Sequence, residues 1–414
     1  MVKIRLLLLF LTILVVGVVG TIAFQYARGY RLNQETLEFS PNGLFVIKSD
    51  PDAAQVFVDG TLKAATNANF PLLPGTYDIS VRKDGYISWT KRLTFKAEDV
   101  TEATAHLFRI APSLSTTTFS GVEAPLLSPD LAKLSYVVPI NQNNQDAEGL
   151  WIMETLNLPL GFAREPRRIT DGNLLGSSWV FSPDTREILL TTTTGVFLLD
   201  TSSFTPQSQR VNVSAQRLEI LNEWEKELAK RLAAQMRKLP DEIQDILSRK
   251  ASNIVFSPDK DMVSYTASGS ATIPNKLIPE LPGSSTQPED RGLKSGFTYV
   301  YDIEEDRNFL IDKKEIVLLG SLHYVDEGKP INWNTLVEET KRTMSWYPTS
   351  RHLIVAEEGK ITIADYDGTN RQVVYSGAYV VPHAYPTLSL DRLLILTNLG
   401  ANSSPPNLYS LGIK

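Results

Sequence analysis

The string Val180-Phe181-Ser182-Pro183-Asp184 returns almost unchanged as Val255-Phe256-Ser257-Pro258-Asp259. Leu127-Ser128-Pro129-Asp130 is the same tetrad with leucine for phenylalanine. Trp346-Tyr347-Pro348-Thr349 and Ala384-Tyr385-Pro386-Thr387 read as worn copies. An apolar run of β type follows each: 134–138, 188–192, 262–266, 353–356 and 393–397. Proline cannot donate to a ladder, so it ends one strand. Aspartate favours the tight turn into the next. A turn that recurs with its strand implies a repeated architecture.

The five prolines stand at 129, 183, 258, 348 and 386, with gaps of about 54, 75, 90 and 38 residues, against roughly 40–50 for one propeller blade. The second gap carries an insertion, Ala215 to Lys250. There Leu221, Trp224, Leu228, Leu232, Met236 and Leu239 form one helical stripe. Pro240 breaks the run, and Asp241-Glu242 open a second helix with Ile243, Ile246 and Leu247. A helical hairpin on the rim is the reading, with a docking element as the alternative. Removing the insertion leaves about one blade. Trimming the stretches 273–296 and 326–339 does the same for the third gap. Residues 112–414 are expected to form a β-propeller of five blades, with six the alternative. The segment 103–110 is expected to pair with the last blade near 408–411.

Lys3 and Arg5 precede about 19 uncharged residues, Leu6 to Phe24. As a helix this run is roughly 28 Å long, close to the roughly 30 Å of a bilayer core. Residues 1–27 are therefore expected to be a single-pass transmembrane anchor, with a cleaved signal around Thr21-Ile22-Ala23 as the alternative. Orientation is nearly tied, since Lys3 and Arg5 face Arg28 and Arg31 across the helix. The expected topology puts the bulk of the chain outside the cytoplasm. Residues 28–43 read as a linker that ends at Ser40-Pro41-Asn42-Gly43.

From 44 to 108 the chain alternates in short runs. Val56-Phe57-Val58 stops at Asp59-Gly60, a hairpin signal. Pro74-Gly75-Thr76-Tyr77 leads into another alternating strand, and Gly85-Tyr86 turns the chain again. Short strands, tight turns and no helical period describe a small β-sandwich. These residues resemble the PEGA domain. Pro51-Asp52-Ala53-Ala54 stands at the family's Pro-Glu-Gly-Ala turn, so Ala53 replaces its glycine and puts the turn's backbone conformation in question. Ala65-Thr66-Asn67 stands where Gly-x-Thr-Pro is usual. The resemblance implies an envelope or surface protein of structural or binding type and brings no catalytic residue with it.

The Ser-Pro-Asp units are similar to the propeller repeats of the TolB type, a branch of the WD-like group. Phe181 to Asp184, Phe256 to Asp259 and the Asp365-Tyr366-Asp367-Gly368 turn carry that likeness. The whole is expected to be an all-β fold behind a transmembrane helix. Its expected function is that of a non-catalytic, membrane-anchored binding or scaffolding protein of the bacterial envelope, acting on another envelope protein or a surface polymer. The alternatives are a sensor or assembly factor that docks through the insertion, and an enzyme with a site in the propeller channel.

Chemistry-bearing patterns are sparse. With no cysteine, thiolate metal sites and disulfides are excluded. A net charge of -6 gives nucleic-acid binding no support. His106, His323, His352 and His383 form no i, i+4 pair, and no nucleophile elbow, Walker motif or dinucleotide fingerprint occurs. Asp365 to Asn370 has the spacing of a Ca²⁺ loop without its distal glutamate, and reads as a hairpin turn. Glu304-Glu305-Asp306 reads as a solvated turn, with a cation site as the alternative. Catalytic, cofactor-binding and metal residues are all expected to be none. The polar loop 141–148 marks a face where partners bind in folds of this type.

Overall fold

The computed structural model describes residues 2–27, 30–32, 39–140, 146–156, 165–279, 287–321, 323–326, 329–401 and 404–414. The chain divides into two compact units, one ending at Leu107 and the other beginning at Phe108.

Helix α1, Val2–Ala27, forms where the uncharged run predicts one. Among the described residues no helix is long and apolar enough to cross a membrane. That overturns the expected transmembrane anchor, the bilayer as a partner and the single-pass membrane localisation.

Besides a short ladder of Tyr30–Leu32 with Phe39–Pro41, the described β part of the first unit is two sheets. One runs in the order Ala68–Leu72, Gly43–Asp50, Val100–His106, and the other Thr61–Ala65, Gln55–Val58, Gly75–Arg82, Trp89–Phe95. Alternation along Gly43–Asp50 sends Phe45 and Ile47 inward, where they meet Val56, Ile79, Val81 and Phe95. Each such side chain contributes about 1.5–3 kcal/mol on burial. Asp59 (φ 45°) and Gly60 (φ 77°) both take the left-handed region, the two-residue hairpin turn their sequence predicts. Ala53 settles the question raised by its missing glycine: it adopts φ 56° despite its Cβ. Val100–His106 pairs in parallel with Gly43–Asp50, from Leu44 opposite Val100 to Asp50 opposite His106. The expected pairing of 103–110 with the end of the chain therefore fails over 103–106, while Arg109 N–H does donate to Ile413 O (2.9 Å), and the strand that pairs with 409–412 is Ser113–Thr116. Thr101 and Ala105 face this unit's interior, and that face decides the partner.

The second unit contains five principal antiparallel meanders. Sheet A is Glu123–Leu127, Lys133–Val138, Gly149–Glu154 and Arg167–Thr170. Sheet B is Ser178–Phe181, Glu187–Thr192 and Gly195–Asp200. Sheet C is Ala251–Phe256, Met262–Ala267, Thr298–Asp302 and Arg307–Asp312. Sheet D is Thr343–Trp346, His352–Glu357, Lys360–Asp365 and Gln372–Tyr375, with Val317–Leu318 added in parallel. Sheet E joins both ends of the unit: Ser113–Thr116 beside Asn407–Gly412, then Arg392–Thr397 and Ala384–Pro386. Helices α2, Arg217–Met236, and α3, Asp241–Lys250, lie between B and C, and α4, Trp333–Thr340, precedes D.

The repeated turns show why the tetrad recurs. In A, B and C the serine hydroxyl donates to the aspartate (Ser128 to Asp130 2.6 Å, Ser182 to Asp184 2.7 Å, Ser257 to Asp259 2.6 Å). The same hydroxyl accepts the backbone N–H five residues on, at Lys133, Glu187 and Met262. The residue after the aspartate is left-handed each time: Leu131 φ 61°, Thr185 φ 61°, Lys260 φ 68°. Ser350 (φ 61°) and Leu390 (φ 62°) hold that position in D and E. In E, Leu390 N–H donates to Thr387 O, as Leu131 N–H does to Ser128 O. The fifth turn therefore begins at Thr387, and Pro386 is the last residue of its strand, so the sequence alignment of that copy is two residues out.

Hydrophobic clusters join A to B, C to D, D to E and E to A. The expected fold class needs correction here as well. Among the described residues no sheet closes on itself. The B–C junction has no cluster shared by the two sheets: α2 packs on B through Leu221 and Trp224, while Met236 and α3 pack on C. The chain is mostly β, and its apolar helical stripes are built into the core.

Candidate functional site: a cavity beside helix α4

Helix α4 arises in a stretch that reads as polar. Asn332 caps it by accepting from Thr335 N–H (3.4 Å), and Lys341 (φ 53°) ends it in the left-handed region. Trp333 and Val337, four residues apart, share one face and are buried against sheets A and B. The Trp333 indole donates to His323 O (2.8 Å). Leu336 and Glu338 are exposed.

Next to this helix lies a cavity of about 410 Å³. Glu123, Ser177, Asn332, Thr335, Glu338 and His383 supply its polar lining, and Val122, Val380, Leu396 and Pro406 its apolar wall. A recess of about 30 Å³ shares Ala124, Glu338 and His383 with it and reaches Trp333 and Tyr385. The wide cavity is the candidate site, because the recess holds little more than one water.

His383 and Tyr385 form the buried corner. Tyr385 Oη donates to Pro125 O (2.8 Å) and lies 2.6 Å from His383 Nδ1. With the hydroxyl proton committed to the carbonyl, Nδ1–H must donate to the phenol oxygen. Nε2 then carries a lone pair. Burial lowers the His383 pKa to about 4, so the ring is neutral near pH 7. Burial, reinforced by Glu338, raises the Tyr385 pKa. Burial also raises Glu123 above the usual carboxylate value. Among the described residues neither Glu123 nor Glu338 is in an ion pair, and no lysine or arginine lines the cavity.

The other histidines lie apart from this cavity. His106 Nδ1 is 3.8 Å from Asp50 in the first unit. His323 Nδ1 is 3.0 Å from Glu225 of α2. His352 meets Thr349 Oγ1 at 2.8 Å and Asp365 at 3.5 Å. In the Asp365–Asn370 turn, Asp367 accepts from Thr369 N–H and Oγ1, and Asp365 from Asn370 Nδ2. In the acidic turn Asp302 accepts from the backbone of Glu304 and Glu305, and Asp306 binds Arg291 and Tyr301. Among the described residues no three His, Asp or Glu could hold a metal ion. Positions 141–145 of the polar loop lie outside the described residues.

Sequence reasoning missed α4 and named His383 only as one of four histidines without a ligand pattern. The signal for α4 was present: Asn332 as a cap before Trp333 and Val337 at helical spacing.

The two-sheet unit with its Asp-Gly hairpin and left-handed Ala53 has a counterpart. Residues 42–110 match the PEGA domain. The PEGA match covers the first unit's two larger sheets and does not extend over the sheets that hold the cavity. No curated protein matches the chain. Solved structures similar to it include the following three. A TolB of Agrobacterium tumefaciens is 13% identical, with 72% of this chain and 84% of that one covered and a TM-score of 0.22. TolB from Acinetobacter baumannii is 12% identical, with 81% and 59% covered and a TM-score of 0.19. The Cps50 (Swd1) β-propeller domain of Myceliophteria thermophila is 13% identical, with 73% and 74% covered and a TM-score of 0.18. Superposition at that level does not carry the architecture, which rests on the strand order and packing described above.

Proposed function

We propose that this chain is a non-catalytic, envelope-associated binding protein whose second unit receives a partner at the cavity beside α4. The observation that supports this most is the cavity's buried corner. His383 and Tyr385 are fixed to each other and to Pro125 O before anything binds, so little entropy remains to be lost there. The volume, about 410 Å³, falls in the usual range for ligand sites, and an apolar wall with a few placed polar groups is their usual lining. The PEGA match supports the envelope association.

A photo-crosslinking residue placed at Leu336, exposed on α4, tests the reading in cells, with the same residue at exposed Ser252 of sheet C as the control. A discrete adduct is expected from position 336 and not from 252. Identical patterns at the two positions would remove the cavity as the binding surface.

A further inference from the structure

We infer that the cavity beside α4 takes the side chain of a lysine or arginine presented by a partner polypeptide. This rests on the binding role proposed above and names the chemistry of what is bound. The acceptors converge, and no lysine or arginine of the lining answers them. Glu123 and Glu338 line one space, and among the described residues neither is in an ion pair. His383 adds Nε2, a lone pair held in place by the Nδ1–Tyr385–Pro125 chain. The imidazole is neutral near pH 7, so it does not repel a cation. A half-buried carboxyl that burial alone raises gains most from a cation brought to it.

The wall suits the rest of such a side chain. Val122, Val380, Leu396 and Pro406 offer apolar surface for an alkyl stem, and the carboxylates stand where its charged head would be. Exposed apolar residues continue outward: Val380 on the wall, Leu336 on α4, and Leu175 beside Gly176 of the lining. A free amine leaves that rim uncovered, whereas residues flanking a lysine in a chain can cover it.

The full chain carrying ¹³C-labelled histidine gives at most four imidazole signals, because it has four histidines. Acetyl-Ala-Lys-Ala-amide and acetyl-Ala-Arg-Ala-amide should shift the His383 signal, assigned by its loss in His383→Gln. Calorimetry on the wild-type chain should give the same affinities independently of that variant. The norleucine tripeptide should bind at least about tenfold more weakly, and n-butylamine more weakly than the lysine tripeptide. Glu338→Gln, on the exposed side of α4, should weaken the lysine tripeptide about tenfold. Norleucine binding as well as lysine, or indifference to Glu338→Gln, would overturn the cationic ligand and leave the binding role standing. Butylamine binding as well as the tripeptide would overturn the polypeptide source. If no basic probe binds, the inference fails, and the crosslink at position 336 separately decides whether the surface binds anything.

Discussion

The junction between sheets A and B and the junction between B and C do the same job with different parts. At A–B the repeat supplies the polar bridges and most of the core, to which α4 adds Trp333 and Val337. Trp179 of B donates its indole N–H to Ser135 Oγ of A (2.8 Å), and that hydroxyl donates to Leu126 O. Thr185, the left-handed residue of B's turn, donates to Asp130 of A's turn (2.9 Å). C and D repeat the scheme from another register: Trp346 donates to Ser264 Oγ (3.0 Å), and Ser350 Oγ accepts Asp259 N–H (3.0 Å). At B–C, Lys260 holds the left-handed place, and among the described residues it makes no bond to B's turn. Helix α2 acts instead. Arg231 donates to Pro183 O in B's turn (2.6 Å), and Trp224 packs edge-on to Tyr324, whose hydroxyl donates to Phe181 O (2.8 Å). An inserted helix can thus replace the contact between repeats, at the junction where no core is shared.

The largest effect that would test this contrast is at Trp179. Trp179→Ala opens a cavity in the A–B core and leaves Ser135 Oγ without its donor, so a loss of about 3–5 kcal/mol is expected in urea unfolding. Trp224→Ala should lose less, because its helix faces solvent on the other side. Equal losses would erase the distinction between the two junctions.

Next in size is a pH effect at E–A, where His383 and Tyr385 bridge to Pro125. The folded pKa of about 4 lies below the ordinary 6.5. The unfolded chain therefore binds the extra proton first, and the contribution is complete above pH 6.5 and lost as pH falls toward 4. A shift of that size corresponds to about 3 kcal/mol. Melts at pH 7 and pH 4.5 should show the loss in the wild type and a smaller one in His383→Gln. A wild-type loss no larger than the variant's would mean that the imidazole is not held neutral.

Smaller again is Tyr324→Phe at B–C. It deletes one hydrogen bond to Phe181 O and keeps the ring against Trp224, so about 1 kcal/mol is expected. A loss near that of Trp179→Ala would mean that the junction hangs on this hydroxyl more than on α2.

These contrasts also show what the sequence could reveal. The Ser-Pro-Asp turns were legible because three atoms of chemistry recur at fixed spacing: a hydroxyl, a carboxylate and a proline. Where Thr387 and Ser389 replace Ser and Asp, the proline alone misplaced the turn by two residues. The first unit was legible through alternation and Asp59-Gly60. Strand partnership was not, since Val100–His106 is chosen by a face that forms only when the sheet does. The length of the uncharged N-terminal run suggested a span that the described helix does not provide. The cavity was hidden because its polar residues come from 123, 177, 332, 338 and 383, which no local pattern connects.

The smallest expected effect is at the left-handed residue itself. Lys260 is exposed at φ 68°, and a side chain there costs roughly 1–2 kcal/mol, which glycine avoids. Glycine returns roughly 0.5–1 kcal/mol of that through the entropy it loses on folding. Lys260→Gly should therefore stabilise by about 0.5 kcal/mol, seen as a higher urea midpoint with an unchanged slope. Leu131→Gly relieves the same strain but removes a side chain packed in the E–A core, so it should destabilise. If both substitutions move the midpoint the same way, the five turns differ in something other than what lies over their left-handed residue. Opposite signs would show that at Lys260, exposed and unbonded to B's turn, the repeat's backbone can be relaxed without loss.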